Sequence, residues 1–227
     1  IPEPDIEPEM YVRWVKLYGK AWGMIAKEFP EITHIEPMNE PDLASDNIFS
    51  KQGHRWATDD GFIYSMTDRG QILADIQYYI YKEVKAVNPD MIVTTPGFST
   101  HGDGHKILDY LYEAIESGAH PFRSEVADTD PDHYFDCINF HHYLNDDTID
   151  DYFEHCDSFY KACERHNDAG KPAIMTEWGF TDRGNEETIQ KNGERMTEQL
   201  KMFEEKMPYL EAALGYMLCD YHGFSVS

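Results

Sequence analysis

Five short apolar runs alternate with five amphipathic segments along the chain, and this alternation restricts the possible folds more than any other feature of the sequence. The runs have the length of buried strands, whereas the segments repeat apolar residues at the period of a helix. The pattern predicts strands at 32–38, 91–95, 135–143, 173–178 and 212–219, and helices at 10–29, 68–87, 105–117, 150–166 and 186–206. Strict alternation of this kind predicts an α/β fold with a parallel sheet and right-handed crossovers.

Two architectures fit five parallel strands, namely a doubly wound open sheet and part of an eight-stranded barrel. No strand is followed by a Gly-x-Gly-x-x-Gly motif or by a Gly-rich phosphate loop ending in Lys-Ser/Thr, so nucleotide binding is disfavoured. The 227 residues are enough for one sizeable core.

The charge of the chain restricts its partners. Its 43 acidic and 19 basic side chains give a formal net charge of −24. Such a charge argues against nucleic acid, anionic lipid and polyanionic substrates, and it favours a neutral substrate. No apolar run approaches the ~20 residues of a membrane span. The four cysteines show neither a Cys-x-x-Cys pair nor a compact zinc spacing.

Two glutamates follow predicted strands directly. Glu40 lies in Asn39-Glu40-Pro41, where the strand must end because Pro41 cannot donate to a sheet ladder. Glu177 ends a second strand, in Thr176-Glu177-Trp178. In a barrel, the carboxyl ends of all strands face one crevice, so the two carboxylates are expected to meet there. Two facing carboxylates, one protonated and one ionised, are the minimum apparatus for glycoside hydrolysis.

The strand at 135–143 supplies further candidates. Side chains alternate along a strand, so His141 and Tyr143 point the same way and His142 points oppositely. The Tyr143 hydroxyl is suited to hold a nucleophilic carboxylate ionised by hydrogen bonding. A metal-dependent hydrolase is an alternative, although neither a His-x-His strand nor a His-Glu-x-x-His helix is present. The histidines that this alternative would use are His101, His105, His141, His142 and His222.

These motifs resemble the clan A glycoside hydrolases. The resemblance lies in Asn39-Glu40-Pro41 after one strand, His141-x-Tyr143 two strands later and Thr176-Glu177-Trp178-Gly179 on the next. Within the clan, the chain is similar to the cellulase and mannanase family and, through Ile35-Glu36-x-x-Asn39-Glu40-Pro41-Asp42, to the β-xylosidase and iduronidase family. The resemblance implies a retaining enzyme on a (β/α)8 barrel. It covers strands 4 to 8, so residues 1–227 are expected to form the C-terminal part of one catalytic barrel without strands 1 to 3.

The resemblance also implies roles for single residues. Glu40 would be the acid/base and Glu177 the nucleophile. Asn39 would bind the sugar 2-hydroxyl, Tyr143 would orient Glu177, and His141 would line the glycone site. Two further residues are expected to be sugar platforms: Trp178 and, in the aromatic connection at 42–66, Trp56.

The expected function is retaining hydrolysis of β-glycosidic bonds in poly- or oligosaccharides by double displacement, with no metal and no cofactor. Two alternatives stay open: a catalytically inactive carbohydrate-binding barrel and a metal-dependent barrel hydrolase. The sequence fixes neither the sugar, nor endo or exo action, nor the oligomeric state. It also leaves the compartment open, although secretion or export to the periplasm would suit an enzyme that degrades polysaccharides.

Overall fold

A computed structural model describes residues 7–42, 64–100, 106–118, 126–144, 148–179 and 186–215. Within these ranges five α-helices form, each within two residues of its predicted bounds. The helices are α1 (Pro8–Glu28), α2 (Met66–Val87), α3 (Ile107–Ser117), α4 (Ile149–Arg165) and α5 (Glu186–Lys206). No helix of the described part has the length and apolar character needed to cross a membrane.

Local sequence signals explain where the helices begin. The Ser65 side chain caps α2 by accepting a hydrogen bond from the Asp68 N–H at 3.2 Å. Thr148 and Asp151 form a capping box at α4, in which each side chain accepts a hydrogen bond from the backbone of the other. Such caps satisfy N–H groups that a helix leaves without internal partners.

The described residues also form six strands, and all of the pairings between these strands are parallel. The strands are β1 (His34–Ile35), β2 (Ile92–Val93), β3 (Phe98–Ser99), β4 (Ile138–Tyr143), β5 (Ala173–Gly179) and β6 (Leu210–Gly215). β1 pairs with β2, and β3 to β6 form a four-stranded sheet in sequence order. Parallel bridges between Thr94 and Cys137 and between Asn39 and Gly97 join the two sheets. The predicted parallel α/β fold is confirmed.

One strand prediction needs correction. The strand predicted at 91–95 does not end in a turn at Pro96-Gly97, because the chain continues past these residues into β3. The interruption arises because Pro96 has no N–H to donate, while Gly97 bonds back to the first strand segment. The Gly97 N–H donates to the Met38 carbonyl at 3.0 Å, and the Gly97 carbonyl accepts from the Glu40 N–H at 2.8 Å. These two bonds hold the Glu40 segment beside the sheet.

The apolar core lies between the strands and the helices. Phe140 of β4 and Phe98 of β3 both contact Phe159 of α4, with ring centroids 5.4 and 6.0 Å apart. The other side of the same strands carries buried polar side chains instead, including Asn139 and His141. Buried polar groups require hydrogen-bond partners, and those partners define the candidate site.

Candidate active site

The site is centred on the imidazole of His141, which is only 1% exposed. His141 Nδ1 lies 3.1 Å from Glu40 Oε1 and 3.7 Å from Glu177 Oε2. His141 Nε2 lies 2.9 Å from the Thr176 hydroxyl and 3.7 Å from Glu36 Oε1. Three carboxylates therefore surround one buried ring at the carboxyl ends of the strands.

Glu40 reaches this ring through an unusual backbone conformation. Its φ is +40°, in the left-handed region that non-glycine residues rarely occupy. Outliers of this kind persist where surrounding structure holds them, and they cluster at functional sites. Here the surrounding structure is the pair of backbone bonds to Gly97, where an added Cβ would overlap His141 Nε2 and Glu36 Oε1. Only glycine at position 97 allows the backbone to approach the two side chains this closely.

Glu177 reaches the ring because β5 is irregular. Met175 pairs with Phe140 and Glu177 pairs with His141, so Thr176 is an extra residue opposite β4. An inserted residue of this kind changes which way the following side chains point. Thr176 and Glu177 consequently both contact His141, while Met175 and Trp178 on either side of them are buried.

The two predicted catalytic carboxylates lie close together. One oxygen of Glu40 and one of Glu177 are within 4.8 Å of each other, with His141 Nδ1 in the same group. Tyr143 donates its hydroxyl proton to Glu177 Oε2 at 2.5 Å. The structure thus brings together four of the predicted site residues: Glu40, Glu177, His141 and Tyr143.

The electrostatics of the site favour a charged ring at its centre. Burial lowers the pKa of His141, but hydrogen bonds to Glu36 and Glu40 and the negative charge of Glu177 outweigh burial and raise the pKa to about 9. Burial alone would raise the pKa of Glu36, yet hydrogen bonds from His141 and Thr176 hold it below the usual value. An opposite charge within hydrogen-bond distance stabilises both ionised forms.

Sequence reasoning gave no role to Glu36, Asn139 or Thr176. Glu36 Oε2 accepts a hydrogen bond from Asn139 Nδ2 at 2.9 Å and one from the Thr176 hydroxyl at 2.6 Å. The available signal was the polar character of Asn139 and Thr176 inside strands that are otherwise apolar. Glu36 had a second signal, since it is a carboxylate directly after β1.

The burial of two predicted site residues argues against the roles predicted for them. Trp178 is 3% exposed and packs edge-on against Phe203 of α5, with ring centroids 5.3 Å apart, so its face is not available to a sugar. His141 contacts the carboxylates, and its 1% exposure leaves little of its ring to line the glycone site. Asn39 is exposed beside Glu40, as binding to a sugar hydroxyl requires. Trp56 lies outside the described residues.

A metal ion is the alternative use of this cluster. Glu40, His141 and Glu177 offer atoms close enough together to hold one. However, a metal would have to displace the proton on His141, and the raised pKa of this ring opposes that displacement. His142 has a different place, because its Nδ1 contacts the Thr100 hydroxyl and its ring lies against Tyr152. The remaining candidates, His101, His105 and His222, lie outside the described residues.

Asp42, two residues after Glu40, is a buried acid beside the site. It is 7% exposed, its Oδ1 accepts a hydrogen bond from the Ser99 N–H at 3.0 Å, and its Oδ2 has no partner. The pKa of Asp42 is raised to about 7, mainly by burial and in smaller part by the charge of Glu40, while the Ser99 bond opposes the rise. The folded protein therefore binds this proton more tightly than the unfolded chain does.

This pKa predicts a pH-dependent stability. The stabilisation from protonated Asp42 is complete below the unfolded pKa near 3.8 and is lost as pH rises through about 7. Asp42→Asn removes the charge. We therefore expect its free energy of unfolding to rise relative to that of wild type by about 1–3 kcal/mol as the pH is raised from 5 to 8. Urea unfolding at both pH values measures this gain. Asp90→Asn, at an exposed position, is the control and should show no such change; an equal response of the two variants would contradict the prediction.

Parallel strands that alternate with helices, with two carboxylates meeting at the strand ends, are typical of barrel glycoside hydrolases. Residues 9–212 match the family model described as Cellulase (glycosyl hydrolase family 5). The chain therefore belongs to glycosyl hydrolase family 5, of clan A. No curated protein matches the chain.

Family membership confirms the predicted fold class and the chemical class. The family fold is the (β/α)8 barrel, of which the described strands form an incomplete portion, and the doubly wound alternative is wrong. The protein is a member of a glycoside hydrolase family, and its substrate class is carbohydrate.

Proposed function

We propose that this protein is a retaining β-glycosidase in which Glu177 is the nucleophile and Glu40 is the general acid/base. The observation that carries the proposal is the separation of their carboxylate oxygens, which is within 4.8 Å. Retaining enzymes hold the two carboxyl groups about 5–5.5 Å apart, whereas inverting enzymes need about 6.5–9.5 Å to admit a water molecule. The short distance between the nearest oxygens favours double displacement over direct attack by water.

Hydrogen bonding supports the assignment of roles. Tyr143 donates to Glu177 Oε2, and a hydrogen bond to a carboxylate stabilises its ionised form. An ionised carboxylate is what a nucleophile requires. Glu40 lies 3.1 Å from His141 Nδ1, directly after the exposed Asn39, and its side chain is 22% exposed. We assign to Asn39 the contact with the sugar 2-hydroxyl.

The reaction then has two steps. In the first, a Glu177 oxygen attacks the anomeric carbon, the glycosidic bond breaks, and the Glu40 proton passes to the leaving oxygen. In the second, Glu40 takes a proton from water, the water oxygen attacks the anomeric carbon, and the ester to Glu177 breaks. Two displacements at one carbon retain the β configuration.

The family description gives the first substrate to test. Cellulase activity is hydrolysis of a neutral β-linked glucan, which suits a chain whose net charge of −24 disfavours polyanions. We propose neutral β-linked polysaccharides as the substrate class. The test is release of reducing ends from soluble β-glucan, β-mannan and β-xylan, with calorimetric binding measured on the same polymers. Hydrolysis of at least one polymer is expected, whereas binding of a polymer that is never cleaved would favour an inactive carbohydrate-binding barrel.

A further inference from the structure

Glu36 is a third carboxylate in the site, and the two-step scheme does not use it. It lies on the side of His141 opposite to Glu40 and Glu177, and it is joined to the ring through Thr176. Its Oε2 also accepts from Asn139 of β4, so two strands fix its position. A carboxylate fixed at this position favours a positive charge on the buried ring.

The hydrogen bonds specify where the protons lie. The Thr176 hydroxyl has one proton and three neighbours that can accept it: Glu36 Oε2 at 2.6 Å, Asn139 Oδ1 at 2.9 Å and His141 Nε2 at 2.9 Å. The charged Glu36 oxygen is the nearest and the strongest acceptor of the three. A hydroxyl that donates to Glu36 presents lone pairs to His141 Nε2 at 2.9 Å, so Nε2 must carry a proton. His141 Nδ1 faces carboxylate oxygens of Glu40 and Glu177, which are acceptors as well.

We propose that Glu36 is a positioning residue: through Thr176 it keeps His141 doubly protonated, and the Nδ1–H of that ring holds Glu40 and Glu177 in place. The proposal rests on the proposed function, because it takes Glu40 and Glu177 as the catalytic pair. Among the described residues, the charged groups that act on the ring are all acids. Glu36, Glu40 and Asp42 come from the segment after β1, and Glu177 comes from β5.

The position of Glu36 has a consequence for catalysis. A protonated His141 puts one positive charge between the two catalytic carboxylates and orients an oxygen of each. Without the charge of Glu36, the ring proton is easier to lose, and a neutral ring attracts the two carboxylates less strongly than a charged one does. We therefore expect activity to be lost at a lower pH when Glu36 is neutralised.

The first test compares Glu36→Gln, Glu36→Asp and Glu31→Gln by their pH profiles of kcat/KM on the polymer that wild type cleaves best. Glu36→Gln should move the alkaline limb to lower pH by about one unit. Glu36→Asp retains the charge and should move the limb less. Glu31→Gln is the matched control, because Glu31 is exposed ahead of β1. A merely structural role would lower kcat/KM for Glu36→Gln without moving the limb, and this result would overturn the proposal.

The second test needs no catalytic activity. Nitrogen-15 NMR of labelled histidines reports ring protonation, and the His141 signals are assigned by their loss in His141→Gln. Both His141 nitrogens should carry protons at pH 7 in wild type, and Glu36→Gln should lose one of them. Thr176→Val, which keeps the Glu36 charge but removes the linking hydroxyl, should shift the titration in the same direction and serves if Glu36→Gln does not fold.

The two tests separate the two proposals. If wild type hydrolyses none of the polymers, the proposed function fails, while the NMR titration still decides whether Glu36 controls His141. A His141 ring that is neutral at pH 7 in wild type, or whose titration is identical in wild type, Glu36→Gln and Thr176→Val, would overturn the role of Glu36 even in an active enzyme.

Discussion

Replacing Glu177 with glutamine is expected to lower kcat on the cleaved polysaccharide by about four orders of magnitude or more. The amide has the shape of the carboxylate and can still accept the Tyr143 hydrogen bond, so the fold should persist. A neutral amide oxygen is a poor nucleophile, however, and the glycosyl ester cannot form. Initial rates of reducing-end release measure the loss, and wild-type turnover in this variant would exclude Glu177 as the nucleophile.

Two further variants make this result specific. Glu204→Gln makes the same chemical change on the exposed side of α5 and should leave kcat unchanged. Glu177→Ala leaves room for a small anion, so added azide should restore turnover and give a glycosyl azide of inverted configuration. No rescue by azide, together with a normal unfolding transition, would indicate that Glu177 does not form the covalent intermediate.

Replacing Glu40 with alanine is expected to lower kcat/KM on polysaccharides by about 10²–10⁴-fold, the usual contribution of a general acid. The loss should depend on the leaving group. A sugar hydroxyl needs a proton when its bond breaks, whereas an activated phenol leaves without one. Formation of the glycosyl-enzyme from an activated aryl glycoside should therefore be nearly as fast as in wild type, and single-turnover release of the phenol measures it.

The control for this variant is Glu28→Ala, at an exposed position in the last turn of α1. It should behave as wild type with both substrates. If Glu40→Ala slows the polysaccharide and the aryl glycoside by the same factor, Glu40 contributes to substrate binding or structure and not to protonation of the leaving group.

The alternation of apolar runs was sufficient to predict the parallel α/β fold. All five predicted helices are present, and α5 has the predicted bounds. The strand boundaries were less predictable, because the residues at 92–99 are divided between two sheets. Pro96 cannot donate a hydrogen bond, so the division depends on which strands the residues on either side of it pair with. A single sequence does not contain this information.

The predicted role of Trp178 shows what proximity in sequence leaves out. Period-2 alternation separates His141 from His142, and the same rule places Trp178 opposite to Glu177. Proximity in sequence to a carboxylate suggested a sugar platform, but adjacent residues of a strand point to opposite faces. The Trp178 ring is buried against α5 for this reason.

The contacts around His141 were beyond prediction from a single chain. The inserted residue in β5 lets Thr176 and Glu177 face the same ring, and nothing in the local sequence indicates this insertion. The left-handed backbone at Glu40 depends on Gly97, more than fifty residues away. Glu36 acquires its role only when β4 and β5 bring Asn139 and Thr176 beside it.

The stereochemistry of hydrolysis tests the central claim most directly. Proton NMR of the first products released from a soluble β-linked oligosaccharide distinguishes the two anomers before they equilibrate in water. Double displacement through Glu177 predicts that the β-anomer appears first. If the α-anomer appears first, water attacks the sugar directly, and the assignment of Glu177 as a covalent nucleophile is contradicted.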